Sequence, residues 1–553
     1  MKRIILAIAA AVAVQVSLMA QEPGVYNSQF LGRTTYFGTA RSIALGGAMT
    51  ALGGDLGSVT YNPAGSAVNY YSQFTITPDV SVAMVNSAYD PLGDGNYGPW
   101  QLGTRKAFKL PNIGLNLVMD AHDSDWITAM SFGVIANSTD SYLGRSIAGG
   151  SNGTTSFLGH LAAAASHFPD ESYLTAAYKA GQFDSFGPDG SYGYIASNEF
   201  LPASGKYPYT PAPLSQTSVF EEKGHKTDLI FNLGFNVSDA FYFGFNLGTP
   251  MIRYRADQIF TESSGDNVMA FPVGFGEEGS TFYKESENCL ETTIKANGIF
   301  GAFGFIWLPT KHLRLGASIK TPTLYSVTAT ADSYAKIEFQ NSKFNGSASD
   351  GPVEWFYNVT TPYVVNAGLA YTLPGVGLIS VDYELSDYSV MRYSEAEEYY
   401  SSYSDPYWEV NRMNKLFLGV SHSLRAGIEA KPVPALAIRA GYSFTTCPEK
   451  WYNDNNGNVV NSGNYYDEPL KKSTYYNELT HCFSTGFGYS SPDSFFADFA
   501  LRLCSNPRAG YYPYVYGAYT PYDSNGNQLA ASEPSVRMKR SVIDAVVTFG
   551  WRF

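Results

Sequence analysis

The chain has 553 residues and a formal net charge of −13; 15% of its residues are aromatic, with 42 tyrosines, and only 15% are charged. The acidic balance argues against nucleic-acid binding, which normally needs a basic face. So many aromatic residues beside so few charges are unusual for a soluble enzyme. They are expected where aromatic girdles flank a lipid-facing band.

Residues 1–20 predict an export signal. Lys2 and Arg3 supply its positive start, residues 4–16 its apolar core and residues 17–20 a small-residue cleavage site. The apolar run is too short for a membrane-spanning helix. No later segment has 18 uninterrupted apolar residues, so we expect any membrane span to be made of strands.

Residues 41–67 are rich in glycine and alanine and end in Asn62-Pro63-Ala64-Gly65. They resemble the start of the outer-membrane long-chain fatty acid transporters and their aromatic-hydrocarbon relatives, the FadL/TodX type. The resemblance implies that residues 21–71 fold back as a plug inside a β-barrel. The alternative is a glycine-rich loop before the first strand of another barrel.

The residue chemistry agrees with a plug, because glycines permit close-packed backbone with positive φ and a proline fixes a turn. The candidate plug and gating residues are Gly46, Gly47, Asn62, Pro63, Ala64 and Gly65.

Alternation of apolar and polar residues predicts an all-β chain with a transmembrane antiparallel barrel over residues 72–553. The candidate strands are 72–85, 110–119, 125–136, 229–237, 241–249, 298–307, 313–321, 363–373, 378–388, 420–430, 436–446, 479–489, 495–504 and 540–553. The strands number about fourteen, an even number, as expected of a bacterial single-chain barrel. Four segments also resemble the transporter family in their amino-acid sequence: residues 313–323, 361–373, 381–389 and 434–444.

Short and long connections alternate along the chain. Short turns of such barrels face the periplasm and long loops the outside, so we expect Phe553 in the periplasm. Phe549, Trp551 and Phe553 lie at alternate positions and resemble the signal that the bacterial barrel-assembly machinery reads. The alternative is an edge strand of a soluble sandwich.

The predicted outer loops are rich in aromatic side chains, which give large contact area at low entropy cost. We interpret them as a capture surface for an apolar molecule, against the alternative of an interface girdle and ordinary loop packing. The candidate capture residues are Tyr399, Tyr400, Tyr407, Trp408, Trp451, Tyr512 and Tyr514.

The largest loop, 137–228, departs from the resemblance. Within it, residues 157–181 predict two short helices broken at Pro169, which could form a lid or a partner-binding domain. Residues 149–153 match the letters of a nucleophile elbow but lack its strand and helix, so we expect a plain loop there.

Four cysteines follow the export signal, and export permits disulfides. Around the turn at 490–494, Cys482 and Cys504 face the lumen directly opposite each other, which predicts a cross-strand disulfide. Cys289 and Cys447 could pair by default.

His160 and His167 share the largest loop but show no metal-ligand spacing. Relatives of the resembled family are described as haem receptors, and a His pair in an outer loop could serve that role, so a haem receptor stays an alternative. The spacing itself predicts neither a metal site nor a cofactor.

The sequence favours passive outer-membrane transport of hydrophobic small molecules, not an enzyme. By resemblance, the ligand is captured at the outer loops, and plug movement with a lateral gap in the wall releases it. The partners expected are outer-membrane lipid and lipopolysaccharide, the apolar ligand and the barrel-assembly machinery, with no nucleic acid and a monomeric state. A surface receptor or adhesin that displays its aromatic loops is the second class.

Overall fold

The computed structural model describes most of the chain. It covers residues 25–121, 126–166, 172–186, 193–199, 213–270, 281–396, 406–453, 479–492, 494–505 and 534–553, with short pieces at 209, 459–460, 473–475, 509–511, 513–514, 522, 525 and 527–529. Among these residues, every helix is too short or too polar to span a membrane.

Fourteen long antiparallel strands of the described chain close into a barrel. They are β1 Gln73–Asp90, β2 Gln101–Asp120, β3 Ile127–Asn152, β4 Leu214–Val237, β5 Phe241–Ala270, β6 Thr281–Trp307, β7 Leu313–Lys320 and Leu324–Phe339, β8 Val353–Thr360 and Val364–Leu373, β9 Gly377–Asp387 and Arg392–Glu395, β10 Val420–Val433, β11 Leu436–Thr446, β12 Leu479–Ser490, β13 Phe495–Ser505 and β14 Ser535–Arg552. Closure comes from β1 and β14, which pair along their whole length with Phe74 opposite Trp551. The predicted fourteen-stranded barrel is therefore confirmed.

The strands are longer than alternation predicted, and the long connections are shorter. β5 reaches Ala270, beyond the expected end at 249, and β3 and β4 reduce the largest loop from 137–228 to 153–213. The expected plain loop at 149–153 is wrong, because β3 continues to Asn152. At these ends the outward residues are polar, so the apolar period that marks a lipid-facing strand is lost while the hydrogen-bond ladder continues.

Large apolar side chains cover the outside of the barrel at the end where the connections are short. Examples on neighbouring strands are Phe231, Leu233, Phe245, Leu247, Phe303, Phe305, Ile319, Leu369, Ile379 and Ile428, all exposed. Aromatic rings edge this surface, with Phe241 stacked on Trp307 at 5.9 Å between centroids. An exposed apolar surface around a closed barrel is stable in lipid and not in water, so we treat this band as membrane-spanning.

The described helices are short and lie inside the barrel or above it. They are α1 Val25–Gly32, α2 Ala40–Ala44, α3 Phe157–Ala165, α4 Ser172–Lys179 and α5 Trp408–Phe417, with 3₁₀ turns at Leu56–Thr60, Pro63–Ser66, Ser342–Phe344 and Tyr388–Val390. Ser156 caps α3 by accepting a hydrogen bond from the Gly159 amide. The helix pair predicted over 157–181 is present as α3 and α4, while Pro169 lies outside the described residues.

Short strands complete the described structure. They are Phe183–Phe186, Gly193–Ala196, Gly346–Ser349, Lys450–Asn453, Val459–Val460, Ser473–Tyr475 and Ala509–Tyr511. The first two pair with each other, and with α3 and α4 they form a cap at the long-loop end of the barrel.

Candidate functional site

Residues 28–67, here called the lumen segment, contact inward-facing side chains from strands all around the barrel. Their backbone is hydrogen-bonded by the wall. The pairs are Leu31 and Arg33 carbonyls with Lys226, Tyr36 with Arg502, Ala44 with Ser484, Leu52 with Arg314, Leu56 with Asn137, Val59 with Asn246, Tyr61 with Ser318 and Pro63 with Asn232. Since buried carbonyl groups need partners, the polar inner face of the strands serves to hold this segment.

Asn62 is the hub of the predicted gating residues. Its side-chain amide donates to the Thr50 carbonyl at 2.7 Å and to the Phe305 carbonyl of β6 at 3.0 Å. Its side-chain oxygen accepts from the Ala64 amide at 3.0 Å, which starts the 3₁₀ turn at Pro63. One side chain thus links two parts of the lumen segment to the wall.

Glycines in the wall allow this close approach. Gly234, Gly244 and Gly304 are directly paired across β4, β5 and β6, and a Cβ on Gly244 would overlap the backbone of Pro63. A second pair, Gly427 and Gly441 on β10 and β11, lies under residues 45–46. Any side chain at these positions would push the lumen segment off the wall.

Gly46 and Gly47 have φ of +66° and +80°, in the left-handed region that favours glycine. A Cβ on Gly46 would lie 2.8 Å from the backbone nitrogen of Tyr442 on β11. Gly65 accepts a hydrogen bond from the Gly54 amide through its carbonyl at 2.9 Å. These predicted residues therefore lie where the lumen segment is most tightly packed.

The lumen segment also holds its own shape. Thr39 donates to the Asp55 carboxylate at 2.6 Å, and that carboxylate accepts from the Gly57 amide at 2.8 Å. Because Thr39 is joined to Asp55, and the neighbouring Gly54 to Gly65, we expect residues 39–65 to move as one body.

Charged side chains fix the segment on one side of the barrel. Arg41 contacts Glu429 of β10 at 3.2 Å, and Arg439 of β11 contacts the same carboxylate at 2.7 Å. Arg425 pairs with Glu384 and lies 5.0 Å from the ring centroid of Tyr61. Removing one partner of such buried pairs leaves an uncompensated charge.

A cavity of about 690 Å³ lies on the long-loop side of the lumen segment. Apolar groups such as Phe30, Phe37 and Phe220 and charged groups such as Arg145 and Arg540 both line it. The volume falls in the roughly 300–1,000 Å³ range of small-molecule sites. Its mixed lining suits an amphipathic molecule.

The cap is fastened to the barrel wall by Glu262, on β5 beyond the apolar band. Its carboxylate accepts from Ser156 at 2.7 Å, the Phe157 amide at 2.8 Å, Gln216 at 2.7 Å and Asn198 at 2.9 Å. Burial raises the pKa of Glu262, and these donors oppose that shift. The carboxylate sits at the N-terminus of α3, where negative charge is favoured.

The three predicted capture residues whose side chains the structure describes, Tyr407, Trp408 and Tyr514, do not share one exposed surface. Tyr514 is buried in the cap, with its ring 5.4 Å from Phe157 and its hydroxyl 2.8 Å from Gln216. Tyr407 is half-buried, and Trp408 on α5 is 54% exposed. Tyr514 is therefore not part of an open surface, because its ring packs within the cap, and its role in capture stays a prediction.

The remaining capture candidates cannot be placed in the same way. Tyr399, Tyr400 and Tyr512 lie outside the described residues, as does the side chain of Trp451. Their role stays a prediction.

The cysteine register is the predicted one. Cys482 and Cys504 are directly paired on β12 and β13 and form a disulfide, as Ser484 and Arg502 form the next inward pair. Cys289 and Cys447 line different cavities, so the default pairing between them is wrong.

The C-terminal aromatic residues lie on the outside of the barrel. Phe549, Trp551 and Phe553 are exposed at the short-turn end, and Trp551 packs against Phe495 with 5.6 Å between ring centroids. Their role as an assembly signal stays a prediction.

Several residues that build these sites escaped the sequence reasoning. The polar residues Asn232, Asp382, which accepts from the Thr50 amide at 2.6 Å, and Glu262 and the glycine Gly244 all have inward parity on their strands. Inward parity was readable from the sequence, but each of the four also meets a segment more than a hundred residues away in the chain.

No protein-family model and no curated protein matches the sequence. Among solved structures, the chain is similar to the toluene transporter TodX of P. putida, with 13% identity, TM-score 0.45 and 93% of this chain and 98% of that chain covered. It is also similar to a FadL homologue of Pseudomonas aeruginosa, with 12% identity, TM-score 0.46 and 94% of this chain and 99% of that chain covered. For the monoaromatic hydrocarbon channel CymD the identity is 9%, the TM-score 0.43 and the coverage 93% of this chain and 97% of that chain. At such identities no residue role carries over from those channels.

Proposed function

We propose that this protein is a passive outer-membrane channel for hydrophobic small molecules, with the lumen segment as its movable closure. The observation that carries the proposal is the seating of the segment. It crosses the lumen on bare glycine patches of the wall and separates a cavity of about 690 Å³ from the short-turn end. A closure held by many individually modest hydrogen bonds can move as a unit without an energy-coupling step.

We propose that a side exit opens in the wall next to that cavity, where in this structure the Thr361 amide donates to the Thr323 carbonyl at 2.9 Å. Two paired neighbours, β7 and β8, are both interrupted, at 321–323 and 361–363, and each gap holds a proline that cannot donate to the ladder. Val364, directly after the second gap, lines the cavity, whereas Leu324 and Tyr363 are exposed outside. This supports lateral release into the membrane.

Replacing Pro322 and Pro362 by Val would restore both backbone N–H groups to the hydrogen-bond ladder of β7 and β8. We expect slower cellular uptake of the hydrophobic ligand in this variant.

A disulfide lock tests the closure. The hydroxyl oxygens of Ser66 in the lumen segment and Ser131 on β3 lie 3.0 Å apart. In a Ser66→Cys/Ser131→Cys variant, oxidation should reduce cellular uptake of radiolabelled oleate or toluene to the level of cells without the protein. Reduction should restore it.

Matched controls make the lock specific. Each single cysteine variant should transport normally under oxidation, and the wild type treated with the same reductant controls for its own Cys482–Cys504 bond. Full uptake through the locked, folded variant would refute a movable closure. That result would favour the alternative function, a surface receptor or adhesin, which needs no movement of the lumen segment.

A further inference from the structure

A small cavity lies beneath helix α3, in the cap and apart from the lumen segment. It has a volume of about 80 Å³, five to eight times the roughly 10–15 Å³ that one water needs. Its lining includes Phe157, Leu161, Phe260 and Leu290, so most of its wall is apolar. This volume is about half of the roughly 150 Å³ of an apolar cavity that holds benzene, so a single ring would fill the cavity and extend into its open mouth.

Two buried polar atoms on this cavity lack a partner. His160 is 5% exposed and Ser333 is 3% exposed, and both line the cavity. Within the described part of the chain, neither His160 Nδ1 nor Ser333 Oγ makes a hydrogen bond. Buried polar atoms are almost always satisfied by protein or ordered water, so two orphans that line one largely apolar cavity point to a bound molecule or a water that supplies their partners.

The cavity offers no charge to a ligand. Burial lowers the pKa of His160 to about 4 and raises the pKa of the Cys289 thiol to about 11. Both groups are therefore neutral near pH 7. An ionised carboxylate would lose its hydration here without gaining a cation.

We propose that this cavity binds an uncharged, ring-sized molecule with one hydroxyl group, which bonds to His160 and Ser333 while its ring packs against Phe157 and Phe260. The site would be a selective capture point at the long-loop end. Tyr514 lines this cavity, and Tyr511, three residues earlier in the chain, lines the large lumen cavity. A molecule captured here would therefore lie close to the large lumen cavity. That onward passage rests on the proposed function, whereas binding does not.

Phenol, benzene and benzoate are the probes, titrated into the purified, folded protein in detergent by calorimetry or ligand-observed NMR. Phenol should bind about five- to tenfold more tightly than benzene, because a net hydrogen bond contributes roughly that factor. Benzoate should not bind measurably. The Ser333→Ala and His160→Phe variants should each lower the ratio of phenol to benzene affinity, and the double variant should bring it close to one.

Two further variants separate the site from the rest of the protein. Leu161→Trp fills the cavity and should abolish binding of both phenol and benzene. Tyr178→Phe, on the exposed face of α4, should leave both affinities unchanged. If Leu161→Trp disturbs the cap, the ratio of phenol to benzene affinity in Ser333→Ala still tests whether the ligand hydroxyl bonds to Ser333.

Equal affinity for phenol and benzene in the wild type would overturn the proposal. So would binding that survives Leu161→Trp in a folded cap, or no binding at all, which would mean a cavity filled by water only. Because the Ser66–Ser131 lock leaves this cavity untouched, failure of transport and failure of binding are distinguishable.

Discussion

The carboxylate of Glu262 accepts a hydrogen bond from the backbone amide of Phe157 at 2.8 Å, and so joins strand β5 to the first turn of α3. This is a long-range N-terminal cap, because the accepting side chain comes from 105 residues further along the chain. It fixes α3 over the ring-lined cavity and holds Tyr514 beside it through Gln216. A single carboxylate thus links the wall, the first turn of α3 and Gln216.

Glu262→Ala should undock the cap. The substitution leaves the donors on Ser156, Phe157 and Gln216 buried without their acceptor, and unsatisfied buried groups cost about 1–3 kcal/mol each. We expect the docked state to lose about 3 kcal/mol, visible as faster hydrogen exchange at 157–165 with an intact barrel. Glu354→Gln, at an exposed position, is the matched control. Unchanged protection in Glu262→Ala would show that the cap is held elsewhere.

Docking of the cap should weaken in mild acid because of His160. Its pKa is lowered by burial from 6.5 to about 4, so between these values the undocked cap binds more protons. The contribution of neutral His160 to the free energy of docking is complete above pH 6.5 and is lost as the pH falls through 4. The total loss is about 3 kcal/mol. Hydrogen exchange at 157–165 between pH 7 and pH 4 measures it.

His160→Phe should flatten that pH profile. The raised pKa of Glu262 acts with the opposite sign, because it favours the protonated, docked form as pH falls. Removing His160 should therefore leave a cap whose docking strengthens slightly in acid. A profile with the wild-type slope would show that other groups control docking.

The barrel was predictable because lipid and lumen impose a period of two on each strand. The same parity located the Cys482–Cys504 pair, since the register of a hairpin is fixed once its turn is placed. Strand ends were not predictable, because above the lipid the outward face of β5 is largely polar, as at Arg253, Arg255 and Asp257, so the apolar outward period stops while the strand continues.

The candidate site was less accessible to sequence reasoning. Gly46 and Asn62 were recognisable as packing residues, but their partners Gly441 and Phe305 lie hundreds of residues away. Tyr514 shows the same limit, since aromatic richness alone does not distinguish an exposed capture surface from loop packing. The positions of Gly46, Asn62 and Tyr514 each depend on contacts with residues that are distant in the sequence.

The Cys482–Cys504 disulfide joins two wall strands beside the lumen cavity, which Cys504 lines. Reduction of the unfolded protein should raise the count of titratable thiols by two. The Cys482→Ser/Cys504→Ser variant should fold into the same barrel with a free energy of unfolding lower by about 3 kcal/mol, because the bond closes a loop of 22 residues. An unchanged thiol count would contradict the bond.

The glycine patch beneath Pro63 should control leakage through the barrel. In Gly244→Ala, the new methyl group would overlap the Pro63 backbone, and such overpacking costs about 1–3 kcal/mol. Since β5 is held by two neighbours, the lumen segment should be the part that shifts. We expect larger and more frequent conductance openings in planar bilayers, and cells more sensitive to bulky antibiotics.

Gly301→Ala is the matched control for that experiment. It lies on β6, next to β5, but its methyl group would meet only Thr321 Cγ2, at 3.8 Å. This variant should keep the closed conductance of the wild type. Equal leakage from Gly244→Ala and Gly301→Ala would mean that strand perturbation itself opens the barrel. No leakage from Gly244→Ala would mean that the wall yields while the lumen segment stays in place, which would weaken the case for a movable closure.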